Sequence, residues 1–111
     1  MHEKQIEIGY LLDFYGDLLT ERKRTVLDMY YNEDMSLSEI SADLGITRQG
    51  VLDTIKKAGN ELLFFEEKLG AAKKFRLISE KVAEAQRLIG RGNGNEELTR
   101  LLAQISEAIG D

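Results

Sequence analysis

Apolar residues recur every three or four positions along nearly the whole chain, the period of an α-helix. Ile8, Leu11, Leu12, Tyr15, Leu18 and Leu19 share one face of a first helix predicted over Glu3 to Leu19. Thr20 ends it and caps a second, Glu21 to Tyr31, which buries Val26, Leu27, Tyr30 and Tyr31 and turns Arg22, Lys23 and Arg24 to solvent. Asn32-Glu33-Asp34 is a polar turn. The strongest pattern follows, from Ser36 to Lys57. Ser36 and Glu39 make an S-x-x-E capping box, in which each side chain satisfies a free backbone N–H at a helix start. Leu37, Ile40 and Leu44 give the helix they open one apolar stripe. Gly45 stands where a left-handed backbone would stop it, Ile46 points inward, and Thr47 offers a hydroxyl N-cap to the next helix. Val51 and Ile55 bury that next helix, while Ser41 and Ala42 are small where two crossing helices approach closely. Two short helices joined by one tight glycine-marked turn form a helix-turn-helix.

The second helix of this motif continues well past its usual length. Val51, Ile55, Ala58, Leu62, Phe65 and Leu69 alternate at spacings of four and three, a coiled-coil-like seam, before Gly70 ends or bends the helix. The spacing resumes at Phe75, Ile78, Val82, Ala85 and Ile89, and again at Leu98, Leu101 or Leu102, Ile105 and Ile109, with a break at the glycine-rich run 90–95. Gly90 is expected to cap the earlier helix and Asn95 the later one. The predicted fold is therefore all-α, with a helix-turn-helix domain over residues 1–70, built around a long recognition helix, and a carboxy-terminal helical hairpin over 71–111. Leu63 and Phe64 widen the apolar face beyond what a small trihelical module covers. Phe64, Phe65, Leu69, Phe75, Ile78, Val82 and Ile89 are thus candidate interface residues. Heptad spacing does not separate packing within the chain from pairing across a homodimer, the assembly these stripes suggest.

Composition narrows the chemistry. There is no Pro, in keeping with helix throughout, and no Cys, which removes disulfides, thiol nucleophiles and zinc fingers. No apolar run is long enough to span a bilayer and the first residues do not read as a signal peptide, so no membrane partner and a cytoplasmic location are expected. His2, the sole imidazole, sits beside a terminus and reads as solvated. The carboxylates are scattered among Lys and Arg rather than paired. Gly90-Arg91-Gly92-Asn93-Gly94 superficially resembles a phosphate loop, yet a helix precedes it and Glu96-Glu97 follow, so it reads as a linker. No enzyme activity, metal or cofactor is expected. The net charge of −5 has the wrong sign for coating nucleic acid nonspecifically, so any such contact must be local.

The outward face of the recognition helix is where such contact would fall. With Ile55 as the buried reference, Gln49, Gly50, Asp53, Lys57 and Asn60 point furthest from the core, and Thr47 and Arg48 project from the leading end. Gln49 suits adenine, Arg48 guanine or a phosphate, and Lys57 the backbone. Asp53 opposes them: it would be repelled by phosphate and is placed to pair with Lys57 one turn on. The candidate nucleic-acid-binding set is Thr47, Arg48, Gln49, Asp53, Lys56 and Lys57. The basic runs Arg22-Lys23-Arg24 and Lys73-Lys74-Phe75-Arg76 either assist or are simply solvated faces.

Leu11-Leu12-Asp13-Phe14-Tyr15, Leu18-Leu19-Thr20, Tyr30-Tyr31, Ser36-Leu37-Ser38-Glu39-Ile40, Arg48-Gln49, Val51, Asp53, Ile55-Lys56 and Glu67-Lys68-Leu69 together resemble the bacterial YlxM family over the amino-terminal two thirds of the chain. The turn motif is also similar to region 4 of bacterial sigma factors, which reads the −35 promoter element. Gly50 stands where the YlxM family usually has alanine and Leu52 where an aromatic is typical; the last helix matches less well. The resemblance implies a small non-enzymatic helical protein acting in the signal recognition particle pathway, with that particle's RNA or its GTPase as partner. Arg48, Gln49, Asp53, Lys56 and Lys57 are the residues it carries over. The alternative is a sequence-specific DNA-binding transcriptional regulator.

Overall fold

A computed structural model describes residues 6–91 and 95–110. Among them are six α-helices: α1 (Ile6–Tyr15), α2 (Glu21–Leu27), α3 (Leu37–Leu44), α4 (Arg48–Leu69), α5 (Ala71–Arg91) and α6 (Asn95–Gly110). The chain divides into two compact units, Met1–Leu69 and Gly70–Asp111. The expected helix start at Glu3 and the glycine run 92–94 lie outside the described residues.

In the first unit α4 is the central strut, with α1, α2 and α3 all packed against it. Ile8, Leu11, Leu12 and Tyr15 of α1 are buried as their spacing predicts. Gly59 of α4 is buried where α1 comes near: a methyl there would sit 3.8 Å from the Cδ1 of Ile8. Tyr15 reaches along α4, stacking near Phe65 (ring centroids 6.0 Å apart) and donating its hydroxyl hydrogen bond to Glu66 at 2.6 Å. Beyond Tyr15 the backbone tightens into a 3₁₀ turn, Gly16–Leu18, so the α-helical face does not continue: Leu19 is buried, but Leu18 is exposed. The long first helix expected through Leu19 is thus four residues too long at this end, because three residues per turn rotate Leu18 off the buried side.

Thr20 caps α2 as expected, accepting from the Lys23 backbone N–H at 3.4 Å. The expected α-helix to Tyr31 instead widens after Leu27 into a π turn, Asp28–Asn32. This keeps Tyr30 in the core with Val26, Ile40 and Val51, while Tyr31 stays half-buried, edge-on to Tyr30 and against Gly9 of α1. The basic run on α2 is not uniformly solvated. Lys23 is ion-paired with Glu61 of α4, and Arg24 reaches Asp17 at 2.5 Å, while Arg22 has no side-chain partner among the described residues.

The capping box at α3 is complete: Ser36 Oγ accepts from Glu39 N at 3.0 Å and Glu39 Oε1 accepts from Ser36 N at 2.9 Å. These hydrogen bonds, the backbone N–H of Ser36 first and its side chain second, hold the Glu39 carboxyl below the usual range. A lowered folded-state pKa adds stability that is complete above the unfolded value and is lost as pH falls through the folded one. The stability difference between the wild type and Glu39→Gln, followed by urea melts, should therefore shrink as pH is taken from neutral into the acid range. A difference unchanged with pH would show that the box carries no charge-dependent stability.

The second unit is a hairpin of α5 and α6. Its seam is narrower than the stripe read from spacing. Ala85 and Leu88 of α5 meet Leu101 of α6, with Leu98 packed beside them. Leu88 was not on the expected stripe; Phe75, Val82 and Ile89, which were, are exposed, and Ile78 is half-buried. Gly90 does not cap α5, which runs through it to Arg91, and Asn95 is the first helical residue of α6 rather than the residue before it.

Candidate nucleic-acid interface

The turn between α3 and α4 is built as the motif requires. Gly45 is left-handed, φ 69° and ψ 31°, a conformation that costs residues with a Cβ. It lets both Gly45 N and Ile46 N donate to Ser41 O, at 3.0 and 3.2 Å. Ser41 also closes the turn from its side chain, Oγ donating to Ile46 O at 2.5 Å. Ser41 is therefore a turn clamp rather than a small spacer, and Ala42, expected between crossing helices, is exposed. A serine four residues ahead of a helix-ending glycine was the available signal, since its hydroxyl lies beside the Ile46 carbonyl just past the turn. Ile46 packs against the core cluster of Val26, Tyr30, Ile40 and Val51, and so do Leu37, Leu44 and Ile55.

Thr47 caps α4, its Oγ1 accepting from Gly50 N at 2.9 Å, and so spends its hydroxyl on the helix. Arg48, Gln49, Asp53, Lys56, Lys57 and Asn60 are all exposed, while Val51 on the other side is fully buried. Among the described residues Asp53 does not make the expected pair with Lys57. Asp53 Oδ1 instead accepts from Gln49 Nε2 at 2.9 Å, one turn toward the amino end. That bond takes one of Gln49's donors and leaves its amide oxygen and the second Asp53 oxygen facing out as acceptors. From Ser36 to Lys57 three carboxylates, Glu39, Asp43 and Asp53, balance three cations, Arg48, Lys56 and Lys57. Attraction to phosphate is thus confined to α4 itself. Thr54 bonds back to the Gly50 carbonyl at 2.9 Å and takes no outward role.

Of the candidate interface residues, Phe65 is committed to the first unit beside Tyr15, whereas Phe64 and Leu69 are exposed; Phe64 carries Lys68 over its ring at 5.6 Å. No described helix is long and apolar enough to cross a membrane.

A helix capped by Ser36, stopped by left-handed Gly45 and followed after two residues by an α4 exposed on one face and buried on the other defines a helix-turn-helix protein. The profile of the YlxM / p13-like helix-turn-helix family matches residues 2–101, and the chain belongs to that family. A UPF0122 protein of Thermoanaerobacter sp. (strain X514) is 42% identical over 102 residues, covering 89% of this chain and 87% of its own length. The UPF0122 protein of Halalkalibacterium halodurans is 37% identical over 105 residues, covering 95% and 96%. One from Bacillus cereus (strain AH187) is 38% identical over 109 residues, covering 98% and 96%. The likeness therefore extends beyond the amino-terminal two thirds and through most of the hairpin.

Proposed function

We propose that this protein is a non-enzymatic regulator that binds nucleic acid through the leading turns of α4, and that its ligand is the RNA of the signal recognition particle, with the particle's GTPase as a second partner. The observation that carries the reading is the exposed row of Gln49, Lys56 and Lys57, with Arg48 exposed at the leading end, on a helix whose opposite face is locked in the core. Such a row offers a guanidinium fork, an amide and two ammonium groups, which are the groups that hold phosphates and base edges. The choice of RNA and pathway rests on the resemblance to the YlxM family. The overall charge of −5 supports a ligand gripped at a few points rather than a duplex coated along its length.

The test is binding of the full chain to the signal recognition particle RNA of Bacillus cereus, followed by fluorescence anisotropy across a salt series. Three phosphate contacts give a slope of log K against log salt of about −2 to −3. Changing Arg48, Lys56 and Lys57 to alanine one at a time should each make the slope shallower by about 0.7–0.9. A salt-independent affinity, or one indifferent to these substitutions, would reject the α4 interface. Equal competition by duplex DNA would turn the reading toward a transcriptional regulator. Retention of the GTPase after nuclease treatment, with no RNA binding, would leave a protein adaptor.

A further inference from the structure

We infer that the α5–α6 hairpin pairs face to face with the hairpin of a second copy of this chain, closing a four-helix bundle through Val82 and Ile89 of α5 and Leu102 and Ile109 of α6. Burial fixes the geometry. Ala85 and Leu88 meet Leu98 and Leu101, an antiparallel register, so the line between these pairs marks where each helix faces the other. At about 100° per residue, Val82 and Ile89 lie roughly 70–90° to one side of that line on α5, and Leu102 and Ile109 roughly 50–70° to the same rotational side on α6. Because the two helices run in opposite directions, equal rotation brings both pairs to the same face of the hairpin. All four are exposed, at 41%, 64%, 55% and 61%.

The rest of that face says what covers it. By the same rotation the face also carries Phe75, Ile78 and Gln86 on α5 and Ser106 on α6, none of them charged. Glu80, Arg87, Arg100 and Glu107 fall on the far side and are exposed. An uncharged face selects neither an acidic nor a basic partner and does not repel its own copy. The face is about 24 Å long and two helices wide, large enough for a closed two-fold contact. Ala72, Ala85, Leu88 and Leu101 are the buried hydrophobic residues described for this unit, a slight core. Doubling the hairpin supplies the missing layer as a four-helix bundle. The inference is independent of the nucleic-acid reading and stands or falls without it.

Sedimentation equilibrium of the full chain at micromolar concentrations tests it, with twice the 12.6 kDa chain mass expected. Ile89→Glu with Leu102→Glu places carboxylates in the face at positions already exposed, and should raise the dissociation constant at least about 100-fold while circular dichroism keeps its helical signal. Mixing that variant with Ile89→Lys plus Leu102→Lys should restore the pair, which a misfolded chain would not do. A wild type at 12.6 kDa, a Glu variant that still dimerises, or a mixture that stays monomeric would each overturn the inference.

Discussion

Ile40→Ala should cost the first unit about 2–5 kcal/mol, against a total of roughly 3–10 kcal/mol for a unit of this size. Ile40 is wholly buried and sits among Val26, Tyr30 and Val51, which come from α2, the π turn and α4. Truncation empties the point where four segments meet, and none can move in without leaving its own contacts. Ile40→Val should cost only about 0.5–1.5 kcal/mol, because the branched carbon remains. All four tyrosines, Tyr10, Tyr15, Tyr30 and Tyr31, lie in the first unit and there is no Trp, so intrinsic fluorescence in a urea titration reports on this unit alone. Equal losses for Val and Ala would mean that the cavity is not what destabilises.

Gly45→Val should cost about 2 kcal/mol by a different route. A Cβ built on Gly45 meets nothing within 4 Å, so there is room for a side chain and only the backbone objects. At φ 69° an ordinary residue pays about 1–2 kcal/mol, and a β-branched one pays at the upper end. Gly45→Asn should be milder, since asparagine tolerates the left-handed region. The same fluorescence titration separates the cases: similar losses for Val and Asn would place the cost in lost space rather than in strain. On the function proposed above, the Val variant should also weaken RNA binding beyond its effect on stability, because the double acceptance at Ser41 O that aims α4 requires the left-handed turn.

The caps and the turn were legible because they are local chemistry. Ser36 with Glu39, Gly45, Thr20 and Thr47 each act within four residues of themselves, and the structure places them as their types demand. Asp53 shows where that ended. Gln49 and Lys57 are equally spaced from it, and spacing alone offers no choice between an amide donor behind and an ammonium ahead. Leu18 leaves the buried face and the α-helix stops short of Tyr31 because a 3₁₀ turn and a π turn change the residues per turn without leaving a mark in the apolar pattern.

Apolar period, capping residues and the glycine at position 45 were enough to determine an all-α chain with a helix-turn-helix at its centre, since each works through bonds one turn long. Which apolar stripe became core was decided only in three dimensions. Leu88 and Ile89 are adjacent and equally apolar, yet only Leu88 faces Leu101, because burial depends on how one helix is rotated against another and that rotation is set by the whole packed set of side chains.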